Sequence, residues 1–200
     1  MELRPNRGGF LRPFGCGWFI REFLLGNGPE GSNRIDTKRG ATQADINYEY
    51  KESLAKATAR ERAERIISDM VINGADVTEE KAKKIYQSEL KKVSRKFTHM
   101  RYHSFLMYFG VLKRLRWVEV TGKTEASGIQ GNYPIAPSRI YYRLTQKGKK
   151  ATDELWSNPL FTLYPDIKSN HIKNLTNRLT QSLSQGNYFF KGHLILVYYL

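Results

Sequence analysis

Two hundred residues suffice for one domain with a substantial core, or for a small domain with extensions. The apolar fraction of 40% and aromatic fraction of 12% exclude a wholly disordered chain. The net charge of +14 argues for a polyanionic partner, and its distribution sharpens that reading. Residues 91–150 hold 14 basic residues against only Glu119 and Glu125, so +12 of the +14 falls within 60 residues. The plain alternative is a solvated face kept soluble by repulsion.

The segment 1–41 is an Arg-rich, aromatic N-terminal arm. Breaker-rich stretches (Arg4 to Gly9, Gly26 to Asn33) flank an aromatic run containing Phe10, Phe14, Trp18, Phe19 and Phe23. So many aromatics point to a short helix or strand that docks on this protein or on a partner. Arginines interleaved with rings could also stack on bases. Arg21 and Glu22 interrupt the apolar part, so no signal peptide is expected. No run of about 18 apolar residues predicts a membrane span. Cys16, the single cysteine, excludes an intramolecular disulfide. The compartment expected from this is the cytoplasm, with nucleoid association, or the nucleus of a eukaryote.

A long charged helix is predicted over 42–74. Thr42 and Asp45 resemble a capping pair, Ile46, Tyr50, Leu54, Ala57, Ile66, Ile67 and Met70 follow at helical spacing, and Asn73-Gly74 makes a stop. Such a helix packs by one stripe or serves dimerisation; it lacks the sustained heptads of a coiled coil. Thr78-Glu79-Glu80 opens the next helix, with Ala82, Ile85, Tyr86, Leu90, Val93 and Phe97 on one face and lysines opposite. After Thr98 to Arg101, a third helix runs from Tyr102 to about Arg116, with Phe105, Leu106, Phe109, Leu112 and Leu115 on its apolar side.

Beyond it come a strand over Trp117–Thr121, a long Gly/Pro-containing connection, a strand over Arg139–Leu144, and a helix capped by Thr145 running from Gln146 to about Ser157. Asn158-Pro159 ends that helix. The remaining segment, 158–200, combines a helical stripe (Ile167, Ile172, Leu175, Leu179, Leu183) with an apolar end from His193 to Leu200. Exposed, that end would aggregate, so it is expected to be a core strand or to bind a second copy or a larger assembly. The fold class expected is α+β, mainly α.

Leu112-Lys113-Arg114-Leu115-Arg116-Trp117-Val118-Glu119-Val120, a loop, and Tyr141-Tyr142-Arg143-Leu144-Thr145-Gln146-Lys147-Gly148-Lys149-Lys150 resemble the wing region of winged helix-turn-helix transcription regulators of the MarR and PadR kind. The shared features are a Leu-x-x-Leu end to the recognition helix and a Thr-x-x-Gly helix start after the second wing strand. Arg116-Trp117 stands where those families usually have a small residue. The resemblance covers about 50 residues and implies a winged helix domain over 76–157. It further implies that Arg101, His103 and Ser104 reach base edges, and that Lys113, Arg114, Lys123, Arg139, Arg143, Lys147 and Lys149 touch phosphates.

No phosphate loop, zinc-protease signature or nucleophile elbow is present, so no catalytic role and no cofactor are expected. His99 and His103 stand at i and i+4 but have no third ligand in reach, so a packing or capping role outweighs a metal site. The expected function is duplex-DNA binding, ahead of RNA, in a dimeric transcription regulator. The alternative is a structural subunit of a multiprotein or nucleoprotein complex, with the winged helix and apolar termini making protein contacts.

Overall fold

The computed structural model describes residues 13–98, 102–126 and 138–166. In chain order its elements are helix α1 (Cys16–Leu24), a single 3-10 turn (Pro29–Gly31), strand β1 (Ala41–Thr42), helices α2 (Gln43–Ile72), α3 (Glu79–Thr98) and α4 (Tyr102–Arg114), strands β2 (Val118–Glu125) and β3 (Arg139–Leu144), and short helices α5 (Gln146–Lys150), α6 (Asp153–Ser157) and α7 (Pro159–Leu163). The class is α+β, mainly helical.

The aromatic run near the N-terminus docks on this protein. In α1, Phe19, Ile20, Phe23 and Leu24 recur one turn apart and are buried. Phe19 stacks on Phe14 and Phe23, and Tyr50 of α2 meets both Phe14 and Phe19. Arg21 ties α1 to Asp153 of α6. One core cluster joins these residues to α2, α3, α4, the sheet and Trp156.

The Thr42 cap forms as its sequence requires: its hydroxyl oxygen accepts from the Asp45 amide at 3.2 Å and the hydroxyl donates to the Asp45 carboxylate at 2.7 Å. Helix α2 ends at Ile72 with Asn73 as its C-terminal cap, and Gly74 takes the left-handed conformation (φ 78°). The first two thirds of α2 are anchored by Ile46, Tyr50, Leu54, Ala57 and Ala63; farther on, Ile66 lies exposed and Ile67 and Met70 half-buried. Helix α3 turns back along α2, and the pair forms an antiparallel hairpin.

The three strands form one antiparallel sheet in the order β1-β3-β2. The two-residue strand β1 came from a stretch with no strand pattern and pairs Ala41 with Tyr142 and Thr42 with Tyr141. Strand β2 starts one residue later than expected and runs to Glu125, through residues assigned to the loop. The irregularity between Val120 and Thr124, with Gly122 at φ 82°, lets the pairing resume with Thr124 opposite Ile140 and Glu125 opposite Arg139.

The helix expected over Gln146 to Ser157 is two. Ala151 leaves the helical conformation (ψ 135°), and Thr152 starts α6. The break swings Trp156 back onto the core, where its indole packs 4.6 Å from Trp117 and its Nε1 donates to the Gly148 carbonyl at 3.0 Å. A continuous helix would leave that donor without this partner. Asn158 then caps α7, accepting from the Phe161 amide. The apolar C-terminal end at 193–200 lies outside the described residues.

Candidate nucleic-acid interface

Helix α4 feeds the β2–β3 ribbon through a tight C-terminal cap. The Trp117 amide donates to the Leu112 carbonyl and the Arg116 amide to the Lys113 carbonyl, each at 3.0 Å, which is the paired bonding of a Schellman motif. Arg116 occupies the left-handed position (φ 58°) that glycine normally fills. Leu112 and Trp117, the residues joined by the first of these bonds, are both buried.

Helix α5 sits against this cap. The Thr145 amide donates to the Trp117 carbonyl at 3.0 Å, and its hydroxyl donates to the Arg116 carbonyl at 2.7 Å while accepting from the Gly148 amide at 3.0 Å. These bonds give the Thr-x-x-Gly segment its physical reason. Threonine links the strand end to the helix start, and glycine leaves room for the Trp117 carbonyl, with which an added Cβ would collide.

The cations divide into two groups. The wing group is already neutralised in part. Arg143 Nε lies 2.8 Å from Glu119 Oε1, and its partner strand brings Glu119 directly opposite. Glu125 receives Arg39 at 2.9 Å and Lys123 at 3.4 Å, and sits opposite Arg139 in the register. Thus both carboxylates of the basic 91–150 stretch are spent on the wing. Tyr141 joins this cluster: Arg39 donates to its hydroxyl at 3.0 Å, and Arg39 and Lys123 lie 5.2 and 4.9 Å from its ring centre. Hydrogen bonding from the Tyr141 hydroxyl, then Lys123 and Arg39, holds the Glu125 carboxyl below its usual value. Burial foremost, then hydrogen bonding to Glu125, raises the Tyr141 phenol, and Tyr141 raises Arg39.

The second group surrounds the junction of α4 and α5. Lys113, Arg114, Arg116, Lys147, Lys149 and Lys150 are exposed and make no ion pair with a described residue. Because Arg116 and Thr145 are hydrogen-bonded neighbours, the ends of two helices deliver these six charges to one end of the ribbon. Lys113 also lies 5.9 Å from the Tyr142 ring centre, and Arg114 donates to the Tyr164 hydroxyl at 2.9 Å. The last turns of α4 and α5 favour cations through the helix dipole, so placement and stability agree.

Of the residues singled out from the sequence, Lys113, Arg114, Lys147 and Lys149 therefore gather at this junction. Lys123, Arg139 and Arg143 sit on the wing, two of them ion-paired. Arg101 lies outside the described residues, as do the side chains of His103 and Ser104. Sequence reasoning missed Arg116 and Lys150, both inside the quoted motif, and Arg39 and Tyr141, for which no local signal exists. The outer face of α4 is less polar than a groove-reading helix: Met107 is 62% exposed and Tyr102 40%. An open cavity of about 330 Å³ is lined by Arg34 and Arg39 together with Asp36, Asp45 and Glu49, a mixed-charge lining apart from the junction cations.

Compared with family models, curated proteins and solved structures, the chain matches none of them. Among the described residues, no helix is long and apolar enough to cross a membrane.

Proposed function

We propose that this protein binds duplex DNA as a transcription regulator, with α4, the β2–β3 ribbon and α5 acting as a winged helix. The observation that carries the reading is the cluster of Lys113, Arg114, Arg116, Lys147, Lys149 and Lys150 around one junction, free of ion pairs with described residues. The element order and three-stranded antiparallel sheet are compatible with that fold. In this reading the junction holds phosphates and fixes register, while the wing arginine Arg143, already satisfied by Glu119, contributes less.

The test is fluorescence anisotropy on a random duplex of about 30 base pairs, titrated across salt. Each neutralised phosphate contributes about −0.9 to the log–log slope, so Lys147/Lys149/Lys150→Ala flattens it by roughly 2 to 3. Arg143→Ala changes the slope by less than one contact. No binding tighter than millimolar at low salt, or a triple variant that keeps the parent slope, overturns the proposal.

A second reading, a subunit of a multiprotein or nucleoprotein complex, is favoured by the exposed Met107 and Tyr102 on α4. It becomes the better account if the salt slope is insensitive to the junction cations.

A further inference from the structure

The open cavity lies between the loop after the 3-10 turn and the first turns of α2. Its volume, about 330 Å³, is at the lower end of the range for small-molecule sites, about 300–1,000 Å³. Phe23, Gly40, Ala41 and Tyr141 are buried and form its inner wall. Asp45 and Glu49 stand one turn apart on α2 and so reach it from the same side, while Arg34 and Asp36 come from the loop. Each carboxylate is held in place by a neutral donor. Glu49 accepts from the Asn33 amide at 3.1 Å and from its side chain at 2.6 Å, Asp45 from the Thr42 hydroxyl at 2.7 Å, and Asp36 from the Lys38 amide at 2.9 Å. These bonds orient the carboxylates without cancelling their charge.

What the lining lacks is charge pairing. Arg34, Asp36, Asp45 and Glu49 make no ion pair with a described residue. Asp45 and Glu49 are half-buried, where a carboxylate without a cation beside it is costly. The other guanidinium on the lining, Arg39, is engaged by Glu125 and by the Tyr141 hydroxyl. Arg34 therefore shares the cavity with three carboxylates, an excess of two negative charges. Gly28 helps to place it: an added Cβ there would lie 3.0 Å from the Arg34 Cγ, so glycine leaves room for the arginine stem. Both signs of charge thus line one cavity without touching. A molecule that carries both signs, with positive in excess, matches that pattern.

We propose that this cavity binds a basic amino acid, with the ligand's carboxylate on Arg34 and its two ammonium groups on Asp36, Asp45 and Glu49. Tyr48, 63% exposed on the lining, offers its ring to one of the ammonium groups. Because the carboxylates are already fixed by hydrogen bonds, little ordering of the protein opposes binding. Arg39 and Tyr141 belong both to the lining and to the cluster around Glu125, so occupancy is felt in the wing strands. Such binding does not depend on whether the protein binds DNA.

The test is a titration of the full chain with L-lysine, followed by amide NMR shifts and by calorimetry. Binding is expected with a Kd on the order of 0.1–1 mM, and with shifts at Asn33 to Ala41, in the first turns of α2 and around Tyr141. Cadaverine, which lacks the carboxylate, and norleucine, which lacks the side-chain ammonium, each bind about tenfold more weakly, the factor that one hydrogen bond to a charged group supplies. Arg34→Gln abolishes the preference for lysine over cadaverine, and Glu49→Gln weakens lysine binding about tenfold. Thermal melting by circular dichroism confirms that each variant is folded, and a Glu49→Gln chain that does not fold is replaced by Asp36→Asn. No shift at about 10 mM lysine overturns the proposal. So does equal binding of lysine and cadaverine, which leaves only a site for simple cations. Lysine binding that both substitutions leave unchanged also overturns it, because the site then lies elsewhere.

Discussion

Gly148→Ala tests the junction on which the candidate interface is built. An added methyl would collide with the Trp117 carbonyl oxygen and lie 3.0 and 3.1 Å from the carbonyl carbon and Cα of the same residue. All three are backbone atoms, so no flexible side chain can move aside; α5 must retreat by roughly an ångström in a close-packed region. That retreat opposes the Thr145 amide bond to Trp117 and draws the Gly148 carbonyl from the Trp156 indole. Overpacking costs about 1–3 kcal/mol and a buried hydrogen bond lost about 1–3 more, against about 1 kcal/mol gained from alanine's better helix propensity. The expected net is about 3 kcal/mol, or a fall in Tm of roughly 6–12 °C for a chain of this size. Gly110→Ala in α4 is the control, since an added Cβ there meets nothing within 4 Å; it should stabilise by about 0.5–1 kcal/mol. Urea unfolding followed by circular dichroism measures both. If Gly148→Ala costs less than about 1 kcal/mol, the close approach of α5 to the strand is not what fixes the junction.

Two further outcomes are expected. Arg116→Gly should be more stable than Arg116→Ala by about 1 kcal/mol, because only glycine relieves the left-handed strain, although within a helix glycine is the poorer residue of the two; equal midpoints in denaturant would contradict the cap geometry. On the wing, Glu125 ionises more readily in the folded chain than free in solution, so its contribution is complete above the ordinary glutamate value and is lost as pH falls through and below it. Amide exchange or NMR shifts of β2 and β3 should therefore loosen on acidification in the parent, and Glu125→Gln should remove most of that pH dependence; an unchanged profile would mean that the Arg39–Glu125–Tyr141 cluster does not hold the wing.

Local chemistry made much of the chain legible. The Thr42 and Thr145 caps, the Asn73-Gly74 stop and the strand over Arg139–Leu144 are set by side chains acting on backbone groups a few residues away, and each is readable where it stands. The concentration of charge in 91–150 is likewise a property of the string of residues. What the string could not show is pairing. Two residues, Ala41 and Thr42, carry no strand period, and only the free edge of β3 makes them β1. Nor could it show that Glu119 and Glu125 would neutralise the wing, for that depends on register across a turn of more than a dozen residues.

Sequence alone therefore determined a mainly helical α+β protein with one intensely basic region and helices whose ends are marked by their own residues. Tertiary structure decided which cations are left over. Arg143, Lys123 and Arg39 are drawn to carboxylates by strand pairing, whereas Arg116, Lys147, Lys149 and Lys150 meet at the α4–α5 junction because Thr145 and Gly148 bring a helix start onto the Trp117 backbone. The physical reason is range. Caps and helix stripes act over one or two turns, while ion pairing and packing act between segments that only the folded chain makes neighbours.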